Sequence, residues 1–255
     1  MRYTLAAMRT SESSGVRFRV ASDQALIVYF ELPARKSGAR APHLQNQITT
    51  EGHEKVRRLL RLVELEPIAG VRNLHPAYCS LLIKFDALKL RDSELEEILR
   101  GYVERMEGLE LPEPRLVEIP VCYGGEYGPD LDDVAELHGM TRDAAIELHA
   151  SRTYLVYFLG FAPGFAYLGD VAEELVTPRL ATPRRSVPAG SVGIAGRQTG
   201  VYPISTPGGW RLLGRTPAAM FRPDRAEMSL LSIGDRVRFM PISREQFAKL
   251  KSENA

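Results

Sequence analysis

Several shortages in this 255-residue chain each remove a class of function. Its two cysteines, Cys79 and Cys122, are too few and too far apart for a disulfide framework or a tetrathiolate metal site. A reducing compartment is the simpler setting, and both thiols read as core residues. Charge imbalance is nearly absent: 33 Lys+Arg against 32 Asp+Glu leave +1, no field to gather nucleic acid or anionic lipid. No stretch approaches the roughly 18 apolar residues of a membrane span, and the N-terminal MRYTLAAMRTSESSGVRF lacks an apolar core of signal-peptide length. The expectation is a cytoplasmic protein with neither nucleic acid nor membrane as partner. Chemical signatures are missing too: there is no GxxxxGK[ST], no GxGxxG after a strand, no HExxH and no CxxC. A nucleotide bound here is not held by a P-loop. The nearest approach to a nucleophile elbow, Ala189-Gly190-Ser191-Val192-Gly193, lacks its first glycine and runs from loop into strand, so Ser191 reads as a turn residue.

What is present describes a globular protein: 44% hydrophobic and 25% charged residues, enough to bury a core and long enough for two domains. Val16, Phe18 and Val20 alternate with polar residues, and Ala25 to Leu32 is nearly continuously apolar, a hairpin-like start. Leu44 to Glu66 carries Ile48, Val56, Leu59, Leu60 and Val63 at near-helical spacing. Tyr78 to Phe85 is β-like, and Asp92 or Ser93 is the expected cap of a helix lined by Leu95, Ile98, Leu99, Val103 and Met106. The order β, β, α, β, α predicts a small α/β sandwich over residues 1–112. Residues 107–114, EGLELPEP, combine glycine, prolines and acids without period, as interdomain connections do. After a strand at Leu116 to Cys122, two short helices are predicted, Asp130 to His138 and Thr141 to Ser151. Short strands then alternate with Gly and Pro (154–159, 191–195, 201–204, 210–213 and 236–240), and a helical period returns only at 245–251. The fold class predicted is α+β, the second part, 113–255, being a β-barrel or sandwich.

That second part concentrates constrained backbone in three stretches: 160–169 (GFAPGFAYLG), 183–190 (PRRSVPAG) and 206–210 (TPGGW). Glycine lets backbone approach a ligand and proline fixes a loop before binding, while Phe161, Phe165, Tyr167 and Trp210 offer apolar walls. The same features would serve a small β-domain that merely needs tight turns and core aromatics. These stretches, with 123–131 (YGGEYGPDL), 198–203 (QTGVYP) and 214–217 (GRTP), resemble the PxpB/KipI family, also called allophanate hydrolase subunit 1. The resemblance covers residues 116 to 240 strongly and the N-terminal half in outline.

The resemblance implies a cyclophilin-like β-barrel over 113–255. It also implies a subunit of an ATP-dependent 5-oxoprolinase that hydrolyses 5-oxo-L-proline to L-glutamate with PxpC-like and PxpA-like chains, and that is inactive alone. The alternative it implies is a KipI-like antikinase that binds and inhibits a sensor histidine kinase. For the enzyme, ATP is a co-substrate, and Mg²⁺ would accompany it without a recognisable binding motif in this chain. Arg184, Arg185 and Arg215 are candidate phosphate or anion contacts, because guanidinium offers a planar fork of donors. Each could equally be a solvated surface arginine. His149, at a helix end, is a candidate acid or base alongside Arg184, or else a structural histidine. Phe161, Pro163, Gly164, Phe165, Gln198, Tyr202 and Thr216 are candidate substrate contacts, the last three by the resemblance. Pro207, Gly208, Gly209 and Trp210 are the candidate partner interface, with a pocket wall as the other reading of Trp210. Asp130, Asp132, Asp133 and Glu136 are candidate Mg²⁺ ligands, more simply read as partners of a helix dipole.

Overall fold

The computed structural model describes residues 10–13 (as backbone), 15–30 and 49–253. It separates into two compact units, Met1–Glu113 and Pro114–Ala255. In the first unit, β1 (Thr10–Ser13), β2 (Val16–Ser22), β3 (Ala25–Phe30), β4 (Val71–Pro76) and β5 (Ser80–Phe85) form one sheet in the order β1-β2-β3-β5-β4. All its pairings are antiparallel. Alternation in β2 puts Val16 and Phe18 inside, as the period-2 pattern requires. Helices α1 (Thr50–Leu65) and α2 (Asp92–Arg105) pack against the sheet through Val56, Leu59, Val63, Leu95 and Leu99, all buried.

Thr49 caps α1 by accepting from the Gly52 N–H at 3.1 Å; residues 44–48 of the predicted helix lie outside the described residues, as do Leu32 and Ile48. The predicted Asp92 or Ser93 cap is corrected by one residue. Arg91 occupies the N-cap, and its backbone N–H donates to the Glu94 carboxylate at 3.0 Å.

In the second unit, seven strands close a barrel: β6 (Leu116–Tyr123), β7 (Thr153–Leu159), β8 (Ala166–Gly169), β10 (Ser191–Ala195), β11 (Gln198–Val201), β13 (Arg211–Arg215) and β14 (Arg236–Pro241). Its circuit is β10-β11-β8-β7-β14-β6-β13, with β6 and β14 parallel and the other pairs antiparallel. Helices α3 (Leu131–Leu137) and α4 (Arg142–Ala150) follow β6, and α5 (Arg244–Glu253) follows β14. Ile119, Val121, Val156, Leu168, Ile194, Leu213 and Phe239 fill the core, to which α3 and α4 add Leu131, Val134 and Ala145. The fold is α+β, with a barrel.

Two differences from the sequence reading bear on the site. Residues 184–187, expected as loop, are strand β9 (Arg184–Val187), which pairs with β12 (Thr206–Gly208) as a two-stranded ribbon. Ser191, expected in a turn, is the buried first residue of β10, its Cα opposite Arg215. Among the described residues no helix is long and apolar enough to cross a membrane.

Candidate functional site

The three constrained stretches meet. Pairing of Thr206 with Val187 and of Gly208 with Arg184 joins the second stretch to the third. The first reaches them through Phe165, whose ring meets four others edge-on: Phe161 at 5.4 Å between centroids, Tyr167 at 5.0 Å, Tyr202 at 5.6 Å and Trp210 at 5.5 Å. Edge-to-face contact sets the positive rim of one ring on the negative face of the next, so the cluster is orientationally locked as well as apolar. With Val187, Ala195 and Leu212, the buried members Phe165, Tyr202 and Trp210 form a second small core beside that of the barrel.

The burial revises several expectations. Trp210 is only 5% exposed and faces inward, so it is a wall of the cluster and not a free anchor for a partner. Its indole cannot leave without opening this core. Tyr202 is buried, which raises its phenol pKa, and its hydroxyl accepts a hydrogen bond from the Trp210 backbone amide, the first of several smaller opposing influences. Phe165 is buried as the hub, and Thr216 is buried with its hydroxyl accepting from the Ala218 N–H at 3.1 Å. These three were expected to touch substrate; here their contacts are internal. Gly164 and Gly208 are glycines for packing reasons rather than for ligand approach. A Cβ at Gly164 would stand 2.7 Å from Phe221 Cβ, and one at Gly208 would stand 2.4 Å from the Tyr202 hydroxyl oxygen. Pro163, Pro207 and Arg185 are exposed, while Gln198 and Gly209 are half-buried.

Arg184 does not stand free. Its Nη2 donates to Asp130 Oδ1 at 2.6 Å and its Nη1 to the Trp210 carbonyl at 3.4 Å, while Asp130 Oδ2 accepts from the Leu212 N–H at 2.6 Å. The Asp130 side chain is 6% exposed and that of Arg184 28%. A buried carboxylate needs such partners, since an ion without them would carry its full desolvation penalty. The pair therefore ties the stretch before α3 to β9 and β13, a role invisible in the sequence because 54 residues separate the partners. Arg215 donates from Nε to the Ala189 carbonyl at 2.8 Å. Arg185 is exposed and makes no ion pair among the described residues.

The acidic stretch does not fit Mg²⁺. Asp130 has both oxygens engaged, Asp132 pairs with Arg142 at 2.9 Å and Asp133 lies 3.6 Å from Arg211. These three carboxylates face arginines, and among the described residues no three His, Cys, Asp or Glu side chains converge as a metal site would require.

Of the two readings of His149, acid or base and structural histidine, its surroundings favour the second. Its ring is fully buried and stacks on Phe239 at 4.6 Å, and both nitrogens are used: Nδ1 lies 2.7 Å from the Tyr123 hydroxyl and Nε2 2.8 Å from Thr199 Oγ1. Thr199 donates its own proton to the Gly193 carbonyl at 3.0 Å, so it accepts from Nε2–H, and Tyr123 donates to Nδ1. That order fixes a neutral tautomer. Burial then lowers the pKa to about 3, which favours the neutral ring near neutral pH.

A separate open groove of about 560 Å³ lies between α4 and β14, lined by Ile146, Glu147, Ala150, Arg238, Met240 and Pro241 among others. Nothing in the sequence marked it, because its walls come from segments about 90 residues apart without turn or motif signals.

Comparison with known proteins places this arrangement in context. Residues 16–231 match the family described as carboxyltransferase domain, subdomain C and D. Over 203 residues the chain is 45% identical to a 5-oxoprolinase subunit of Bacillus subtilis (strain 168), a match covering 75% of this chain and 84% of that protein. A conserved uncharacterized protein from Pyrococcus horikoshii, known as a crystal structure, is 41% identical with a TM-score of 0.51, covering 90% of this chain and 99% of that one. The Kluyveromyces lactis urea carboxylase superposes with a TM-score of 0.72 at 19% identity over 97% of this chain and 24% of that one, a likeness of fold alone.

Proposed function

The chain belongs to the family of the carboxyltransferase domain, subdomain C and D, with 5-oxoprolinase subunits among its relatives, and from that premise we propose that it is one subunit of an ATP-dependent 5-oxoprolinase. In that reading it works with PxpA-like and PxpC-like chains to convert 5-oxo-L-proline to L-glutamate. The observation that carries the proposal is the 45% identity extending over 84% of the Bacillus protein. The convergence of the three stretches on Phe165 adds to it.

A five-membered lactam resists water because its amide is resonance-stabilised. Phosphoryl transfer from ATP to the lactam oxygen weakens the amide resonance and makes the ring carbon electrophilic; water adds there, the C–N bond breaks as the nitrogen takes a proton and leaves, and a second water hydrolyses the resulting acyl phosphate to glutamate and phosphate. Charge gathers on oxygens throughout, so cations and oriented donors are what a protein can contribute. On this chain Arg185 supplies an uncommitted guanidinium on β9, and the Asp130–Arg184 pair holds that strand in place. Phe161 and Pro163 are the exposed part of the first stretch.

The test is reconstitution. The purified chain is mixed with its PxpA-like and PxpC-like companions, and glutamate is followed from 5-oxoproline and ATP. Turnover that depends on this chain is expected; none above the companions alone rejects the enzyme reading and returns the antikinase alternative. Arg185→Ala is expected to raise KM about tenfold or more with Tm unchanged. Arg184→Ala is a poor probe of chemistry, because it strands the buried Asp130 and is expected to cost about 3 kcal/mol of stability.

A further inference from the structure

The stretch between Leu175 and Pro183 carries an arginine that the fold leaves unused. Arg179 is exposed and makes no ion pair among the described residues, and Glu173, an acid near it in sequence, is taken by Arg197 at 2.6 Å. Its backbone is nevertheless pinned on both sides. Before it, the buried Thr177 forms an antiparallel bridge with Gly196, whose N–H donates to the Thr177 carbonyl at 2.6 Å. The Thr177 hydroxyl donates to the Leu175 carbonyl at 2.8 Å and therefore accepts from His138 Nε2, 2.9 Å away. After it, the Leu180 N–H donates to the Gly209 carbonyl at 2.8 Å.

That last bond brings the arginine to the edge of the aromatic cluster. Gly209 follows Gly208, against which the Tyr202 hydroxyl lies. Burial raises the phenol pKa of Tyr167, and the Arg179 charge opposes it; at Tyr202 burial again raises the pKa, opposed by the Trp210 amide and then by Arg179 and Arg184. The Arg179 guanidinium is thus within electrostatic reach of both phenols. Beside it Tyr167 is half-buried and stacks on the half-buried Phe158 at 4.5 Å, so two rings leave apolar surface next to an uncommitted cation. A side chain on backbone fixed before any ligand arrives loses less freedom on binding. One guanidinium presents a planar fork that matches one carboxylate, whereas a phosphoryl group in transfer spreads more charge over its oxygens than one such cation balances.

5-Oxo-L-proline offers the complementary pair of features, a carboxylate beside ring methylenes. We propose that Arg179 is a further substrate-binding residue of this chain, its guanidinium holding the carboxylate of 5-oxo-L-proline while the lactam ring rests against Tyr167 and Phe158. The inference rests on the reading of the chain as a 5-oxoprolinase subunit and deepens it, by naming the group that selects an acid over a neutral lactam. In sequence nothing separates Arg179 from a solvated surface arginine; its pinned backbone and its neighbours in space do.

The complex is reconstituted with the unaltered chain, Arg179→Lys or Arg179→Ala, and glutamate formation is followed at varied 5-oxoproline with saturating ATP, then at varied ATP with saturating 5-oxoproline. Arg179→Ala is expected to raise KM for 5-oxoproline by about tenfold to a hundredfold, with KM for ATP and the Tm of the chain unchanged. Arg179→Lys is expected to fall between, since it keeps the charge and loses the fork. Inhibition by 2-pyrrolidinone, the same lactam without the carboxylate, is expected to be the same in all three. An unchanged KM for 5-oxoproline overturns the inference while the subunit reading stands. So does a rise confined to KM for ATP, which would put the guanidinium on phosphate, and so does a fall in Tm, which would make the side chain structural. Absence of turnover with the unaltered chain is the separate result that rejects the subunit reading, and this inference falls with it.

Discussion

A histidine with both ring nitrogens hydrogen-bonded inside an apolar shell makes stability depend on pH in a direction that can be stated beforehand. His149 has its folded pKa lowered to about 3 by burial, whereas the unfolded chain takes up the proton near 6.5. Between those values the unfolded state binds more protons, so stability falls as pH falls through the window and is insensitive to this residue above it. The expected slope is about 1.4 kcal/mol per pH unit below 6.5 from this one group. Urea melts at pH values of about 7, 6 and 5, which straddle the upper edge of that window, check it. His149→Gln, less stable near neutral pH, is expected to lose part of the slope, and equal slopes would mean that the ring is not held neutral. The neighbouring lesson concerns arginines: Arg184 is spent on a buried carboxylate and Arg185 is not, though the two are adjacent in sequence.

At the scale of elements, the β9–β12 ribbon explains why residues 183–190 and 206–210 resemble rigid loops yet behave as one unit. Its packing depends on Gly208, over which the Tyr202 ring lies. A methyl group added there would stand 2.4 Å from the phenol oxygen, so the ring or the ribbon must shift. Gly208→Ala is expected to cost about 1–3 kcal/mol, read as a fall in the urea midpoint with the slope unchanged. The matched control is Gly209→Ala, whose methyl would meet Pro183 at 3.6 Å, ordinary contact, and which is expected to be nearly neutral. Equal effects at the two positions would contradict this account of the ribbon.

At the scale of the whole molecule, two cores are built from separate stretches of chain. Phe18, Leu26, Leu81 and Leu95 belong to the first unit; Ile119, Val156, Ile194 and Phe239 belong to the second. The barrel unit closes its own sheet, leaving no unpaired edge in its circuit of seven strands. Residues 114–255 expressed alone are therefore expected to fold, shown by a single cooperative urea transition and dispersed amide resonances. A non-cooperative melt would show that the barrel depends on the rest of the chain.

Features that depend on near neighbours along the chain were legible before any fold was known. Alternation at Val16, Phe18 and Val20, the near-helical spacing from Val56 to Val63, and Thr141 as a cap are of this kind. The density of Gly and Pro after residue 160 likewise marked where the backbone is constrained, and family-specific strings marked the relatives. Which of those residues face solvent was settled only by packing in three dimensions. Trp210 and Tyr202 are inward because Phe165 gives them an aromatic partner, His149 is neutral because Tyr123 and Thr199 arrive from other strands, and Arg184 is engaged because Asp130 lies beneath it. Burial, pKa and ion pairing are properties of neighbours in space, and in a closed barrel those neighbours are drawn from residues far apart in the chain, as Tyr123, Thr199 and Phe239 around His149 show.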